Sequence, residues 1–443
     1  MKTLVSLDLS LEAQLPLRLC MRRVTYLILL AAALLPAQDE SSEFNVNARY
    51  KVSSVDVVPA NRYRLSSNIR AEIKRLVGEN FNQETVDRLA RRLRNELQVH
   101  TVHQKVTKGS DPETVKIVLE IERWKDDFEL SAPKLVYHSK AGWTGAVDAT
   151  KSFGPVQIGA GLISDGDELV ERYAGVRAHF EHRAVVTGRV RLRFEFDSYH
   201  QQWSPITLVA LDRRGDLPGV YRTRQNFEPT VTIQLARPLT LSAGASFERF
   251  QTQFPAARTE AANAAIATLR FRERWERADT RHGLDAGYTL RAATRELNSD
   301  FAYNRHQWDA TYFFAVRRQR VVADFAAGEL NGRAPLFERF VAGNSRYLRG
   351  WNRWDLAPLG GERLAHGTLE YQYRILRVFY DTGSVWDRGQ DAAVHHSLGL
   401  GLQFDDWWHE SSGRPFRKGF TLAVAFPIKD GRADPVFLMG MNF

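Results

Sequence analysis

Hydrophobic and polar positions follow two different patterns along the chain. Between residues 50 and 124 the pattern is mixed. "YKVSSVDVV" alternates like a strand. From Ser66 to Leu76, Ile69, Ile73 and Leu76 recur at helical spacing; Ser66 or Ser67 can cap the first turn, and Gly78 breaks the segment. "NQETVDRLARRLRNEL" then places Val86, Leu89, Leu93 and Leu97 on one helical face, with Asn82 as its cap. "VHTVHQKVT" and "TVKIVLEIE", joined by the polar turn "KGSDP", predict two closing strands. The expected order is strand, helix, helix, strand, strand.

From about Phe128 to Phe443 helical periodicity largely disappears, and alternating segments of roughly ten residues follow one another. In "GRVRLRFEF", Val190, Leu192, Phe194 and Phe196 face one way, and Arg189, Arg191, Arg193 and Glu195 face the other. That alternation suits both a soluble sandwich and a membrane barrel, so connection lengths carry the distinction. Sixteen segments can be placed between 129 and 443. Very short connections ("RA", "RP", "RR") tend to alternate with long ones such as Tyr199 to Asn226 and Ala292 to Tyr303. This is the rhythm of an antiparallel barrel with short periplasmic turns and long external loops. Two places break it: a short first outer loop and a long inner turn from Asp405 to Arg417.

Composition narrows the setting. Within the apolar run from Tyr26 to Leu35 and everything after it, no stretch of about 18 apolar residues occurs. A membrane-spanning form of the mature chain must therefore be a closed barrel, which satisfies every backbone group without helices. "MRRVTYLILLAAALLPAQDE" has the layout of a secretory signal peptide, so residues 1–37 read as a leader whose start is Met21. The single cysteine, Cys20, precedes the cleavage region, which leaves a mature chain without disulfides or cysteine metal sites. The formal charge of +9 comes from arginines spread along the chain. Arg88, Arg91, Arg92 and Arg94 read as a solvated helix face and not as a nucleic-acid surface.

The longest connection, residues 331–366, is irregular and contains "RYLRGWNRWDLAPLGGERL". After it come "GTLEYQYRI" and "VFYDTGSVWD", with a tight turn expected around Leu376–Arg377. Alternation points Glu370 into the lumen while Leu369, Tyr371 and Tyr373 face lipid, and sets Phe379 and Asp381 opposite Tyr380. Two carboxylates on neighbouring strands suggest that the loop folds back and pairs Arg349 with them. Paired carboxylates also serve glycosidases, but no nucleophile motif or metal-ligand spacing accompanies these. His395 and His396 read as structural, and "GAGLIS" and "GLGLQF" lack phosphate-loop spacing. No catalytic, cofactor-binding or metal residue is expected.

These pieces, in this order, resemble the superfamily of outer-membrane assembly factors and polypeptide transporters that includes BamA, TamA and FhaC. "LRGW" is similar to its (V/I)RG(F/Y) loop motif, and "PLGGE", "LEYQYR" and "FYDTGSVWD" match the segments that follow it. Residues 45–125 resemble one POTRA domain, and residues 126–443 the barrel. "PVFLMGMNF", with Phe437, Met439, Met441 and Phe443 at period two, resembles the C-terminal β-signal. The resemblance implies a loop latch made of Arg349, Gly350, Trp351, Glu370 and Asp381. It also implies a bacterial outer-membrane location with the POTRA domain in the periplasm. Its partners would be unfolded outer-membrane or secreted polypeptides, outer-membrane lipid, and periplasmic or lipoprotein accessory factors. The function it implies is non-enzymatic insertion or translocation, without cofactor: clients add by β-augmentation to the POTRA domain and exit at the barrel seam. A passive pore or solute channel is the alternative. The chain departs from the family in carrying one POTRA domain, where the central assembly subunit has five and two-partner transporters two.

Overall fold

The computed structural model describes residues 49–58, 65–97, 99–109, 111–123, 126–185, 188–215, 217–253, 256–277, 279–404, 419–429 and 434–441. The leader with Cys20 and Met21, the long turn Asp405–Arg417, and Phe443 lie outside the described residues.

The N-terminal region runs β1 (Lys51–Val58), α1 (Ser67–Leu76), α2 (Gln83–Leu97), β2 (Thr101–Lys108) and β3 (Thr114–Glu122). Both helices start where side chains can satisfy their first amides. Ser66 Oγ accepts from Ile69 N at 3.3 Å, and Asn82 Oδ1 accepts from Glu84 N at 2.9 Å. Val86, Leu89 and Leu93 recur at helical spacing and are buried, which accounts for the apolar stripe of α2. The sheet order is β1-β3-β2, with β1 parallel to β3, so β1 and β2 are its two edges.

The remaining chain closes into an antiparallel barrel. Its strands are β4 (Phe128–His138), β5 (Gly142–Phe153), β6 (Val156–Asp165), β7 (Arg172–Val185), β8 (Val190–Gln202), β9 (Tyr221–Gln234), β10 (Leu239–Thr252) and β11 (Arg258–Ala261). They continue with β12 (Ala264–Arg277), β13 (Thr280–Ala293), β14 (Ala302–Val316), β15 (Gln319–Arg333), β16 (Arg363–Tyr373), β17 (Leu376–Trp386), β18 (His395–Phe404), β19 (Phe420–Pro427) and β20 (Val436–Met441). Both β11 and β12 pair with β10, so they form one interrupted strand and the barrel has sixteen staves. At the interruption Asn263 leaves the ladder; its Oδ1 accepts from Glu248 N at 3.0 Å and its Nδ2 donates to Leu297 O at 2.9 Å. No described helix is long and apolar enough to cross a membrane.

The two faces of the sheet settle the choice between sandwich and barrel. Leu162, Phe196, Leu269, Leu369, Leu398 and Leu400 are exposed on the outside, whereas Glu181, Asp197, Glu248 and Asp285 are buried within. Phe180, Phe194, Phe227 and Phe247 stand side by side across β7–β10, with neighbouring centroids 6.0 to 6.4 Å apart. An apolar exterior around a charged interior is what a hydrocarbon solvent selects.

Several boundaries differ from the sequence reading. The long loop spans 334–362, because β15 continues to Arg333 and β16 begins at Arg363. β7 runs through the expected turn at Arg183–Ala184 to Val185. The turn expected around Leu376–Arg377 lies at Arg374–Ile375, with Arg374 at φ 54°. An arginine in the left-handed region gives none of the Gly or Asn signal that such turns usually carry. Residues 205–212 form α3 (Pro205–Asp212), capped by Ser204, inside what reads as a plain loop.

Candidate functional site

Between β15 and β16 the loop 334–362 turns back into the barrel at the end where the long connections lie. A bridge between Phe340 and Gly361 closes its neck. Phe337, Phe340, Leu348 and Trp351 share one buried apolar cluster with Tyr221, Phe250, Phe301 and Tyr303 of the wall. The Phe337 ring meets Tyr221 and Phe250 edge-on, each at 5.3 Å, a favoured aromatic geometry. Glu338 accepts from Tyr303 Oη at 3.1 Å and faces Arg291 at 3.2 Å. The loop is therefore held by buried apolar area as well as by charge.

At its tip Arg349 is buried. Its Nη2 donates to Asp381 Oδ1 at 2.7 Å and its Nε to Asp381 Oδ2 at 2.9 Å, a bidentate fork. Its backbone N–H reaches the same Oδ2 at 3.1 Å, and Nη1 reaches Glu370 Oε2 at 3.4 Å. The guanidinium lies 3.6 Å from the centroid of Phe379. Thr368 and Ser397 add hydrogen bonds to Asp381, and Arg377 donates to Glu370 at 2.5 Å. Two arginines thus balance two carboxylates, the condition under which buried charge is tolerated.

The backbone around Arg349 is shaped to deliver it. Leu348 has φ 57°, costly for a branched side chain, and is fully buried. Gly350 passes so close to β18 and β19 that a β-carbon would stand 2.8 Å from Pro427 N and 3.0 Å from Ser397 Cβ. Trp351 donates its indole N–H to His396 O at 2.8 Å. All five sequence-marked residues, Arg349, Gly350, Trp351, Glu370 and Asp381, are brought to this one place. Arg377, read as part of a turn, joins them; its period-two spacing from Phe379 and Asp381 was the available signal.

The other flank of the tip docks on the β6–β7 connection, which sequence reasoning missed. Asn344 Nδ2 donates to Gly166 O at 3.1 Å, Ser345 donates to Asp167, and Arg353 donates to Leu169 O. Asp165 and Asp167 hold Lys134 of β4, at 2.6 and 3.3 Å. These contacts join residues far apart in sequence, and short polar residues in loops carry no pattern that announces them.

The barrel closes between β20 and β4 over four registered pairs, Leu438–Met441 against Leu135–His138. For comparison, β13 and β14 pair along Thr280–Ala293 and Tyr303–Val316. Among the described residues, no part of β20 is registered against Phe128–Lys134. Phe437 is exposed on the lipid side of β20, and Met439 and Met441 share its face at period two. Within the lumen a cavity of about 1360 Å³ remains, its wall including Asp148, Arg177, Arg193, Arg320 and Arg377.

The architecture has solved counterparts. It is similar to BamA from Haemophilus ducreyi lacking POTRA domains 1–3, with TM-score 0.58, 15% identity, and coverage of 89% of this chain and 85% of that one. It is also similar to CdiB from Acinetobacter baumannii, with TM-score 0.53, 13% identity, and coverage of 89% and 74%. At such identity these likenesses speak to the fold alone. No curated protein sequence matches. The profile of the Omp85 superfamily domain, however, matches residues 178–407, from mid-β7 across the in-folded loop and past β18. That is more than half of the chain, and it contains the Arg349 cluster whole: the chain belongs to the Omp85 superfamily.

Proposed function

We propose that, within the outer-membrane assembly and polypeptide-transport work of its superfamily, this protein inserts or translocates unfolded polypeptides without enzymatic chemistry. On this reading residues 45–125 are a single POTRA domain in the periplasm. A client adds as a strand to the edge of β2, or to that of β1 beyond Val52, since residues 78–81 already cover the start of β1, and leaves through the junction of β4 and β20. The loop tip is the latch, with Arg349 held by Asp381 and Glu370. Phe437, Met439 and Met441 present the β-signal face, to which Phe443 also belongs by sequence.

The observation that carries the proposal is the seam. Among the described residues four registered pairs close it, extended by the Ser139 N–H to Phe437 O bond, and β4 continues from Phe128 to Lys134 with no described residue of β20 registered against it. Such an edge accepts another strand. The lumen counts against a plain solute channel, since the loop's aromatic cluster fills its loop end. No nucleotide motif supplies energy, so client folding is the driving force.

Photo-crosslinkers at Val106 on β2 and at Leu135 on β4, used in living cells, test the reading. Capture of unfolded barrel proteins at both positions supports insertion, and capture of one large exported protein supports translocation. Capture at neither position overturns the proposal in favour of a pore.

A further inference from the structure

The loop tip touches the barrel on both sides of the seam. On one side Arg349 binds Asp381 of β17, Trp351 binds His396 of β18, and Gly350 abuts Pro427 of β19. On the other side Asn344, Ser345 and Arg353 bind the β6–β7 connection, whose Asp167, together with Asp165 at the end of β6, holds Lys134. Lys134 stands in β4 directly beside Leu135, the last residue of β4 registered with β20 among the described residues. In the order of staves, β17, β18 and β19 lead to β20, and β4, β5 and β6 follow it. The ten-residue segment Asn344 to Arg353 therefore spans the arc that holds the seam: its two ends are fastened to the β6–β7 side and its middle, Arg349 to Trp351, to β17–β19.

We propose that this segment is a strap across the seam, and that Lys134, Asp165, Asp167 and Ser345 form its second clasp. For β4 to swing away from β20, Lys134 must leave Asp165 and Asp167, or the β6–β7 connection must move with it and pull on Ser345 and Asn344. Either route disturbs the loop tip. The position of the loop and the closure of the seam are thereby one coupled equilibrium. These four residues are positioning residues: they act on the seam through the loop and need touch no client. Lys134 and its two partners are largely withdrawn from water, so the ion pair is not screened away like a surface pair.

The inference rests on the reading of the seam as the place where the barrel parts, but its test needs no client. Amide hydrogen exchange is measured on the full-length protein in a bilayer mimic for wild type, Asp167→Asn, Ser345→Ala and Lys134→Arg. Heat-modifiable mobility on gels confirms that each barrel is folded. Losing a charge-assisted hydrogen bond corresponds to about tenfold or more in an opening equilibrium. Asp167→Asn and Ser345→Ala should therefore speed exchange at Leu135–His138 and Leu438–Met441 by about that factor, leaving β13 and β14 unchanged. Lys134→Arg, which keeps the charge, should stay near wild type. A disulfide between Ser345→Cys and Asp167→Cys should slow seam exchange until it is reduced. Faster exchange in the loop with none at the seam overturns the strap, as does an equal rise throughout the barrel. Either result leaves the crosslinking test of insertion untouched, and failure to capture clients leaves the strap untouched.

Discussion

Gly350 and Pro427 approach so closely that one added methyl group would overlap the proline nitrogen at 2.8 Å. The contact is between backbones, so no side chain can swing aside to relieve it. Gly350→Ala should therefore push the tip off β18 and β19, at about 1–3 kcal/mol, the usual cost of overpacking. Limited proteolysis of the folded barrel should then cut within 343–353. A loop as resistant as wild type would count against this packing.

Arg349 makes three hydrogen bonds to Asp381 and one to Glu370, so the two carboxylates are unequal partners. Arg349→Ala strands Asp381 and should cost about 3–5 kcal/mol in denaturant unfolding. Arg349→Lys cannot reproduce the fork and should lie in between. In Arg349→Glu, a compensating Glu370→Arg should restore only part of the stability, because Asp381 still faces the new glutamate. Normal client handling by an Arg349→Ala strain with normal protein level would sink the latch role.

Phe337 is enclosed by Tyr221 and Phe250 in the aromatic group that fills the loop end of the lumen. Truncation to alanine should cost about 3–5 kcal/mol and leave a void beside the plug. Ion conductance in planar bilayers is the readout: Phe337→Ala should raise open-channel current or its frequency. Unchanged conductance would show that the plug lies elsewhere along the pore.

Met439 shares the outward face of β20 with Phe437 and pairs with Tyr137 in the seam. Met439→Arg places a charge against lipid, costing up to about 2–4 kcal/mol at the bilayer midplane. The fraction of heat-modifiable barrel recovered from membranes should fall. The same arginine at Thr421, which is buried on the neighbouring strand, serves as the control for general misfolding. Equal loss from both would deny the lipid-facing row any special part in assembly.

How far the sequence discloses this molecule follows from the range of each signal. Period-two alternation is local, so Phe194 against Arg193, and Leu369 against Glu370, placed strands and faces within a few residues. The Arg349–Asp381 contact was legible because an irregular, arginine-bearing loop precedes two inward carboxylates on adjacent strands. Helix α3 was not: "PITLVALD" is apolar around most of its circumference and shows little helical stripe. The Ser345–Asp167 contact was not legible either, since it joins short polar residues 178 positions apart. The turn at Arg374 escaped because its unusual φ belongs to a residue type that turns rarely select.

The closing hydrogen bonds between Ser139 and Phe437 join residues 298 positions apart, whereas every other stave meets its predecessor next in sequence. Bringing distant chain ends together costs more entropy than closing a hairpin, and contacts of that kind form late. The nascent sheet therefore carries two bare edges until its last strand arrives. On the proposed function, a barrel of this kind, with two unpaired edges and a slow last joint, is also the kind of cargo that the protein is proposed to handle.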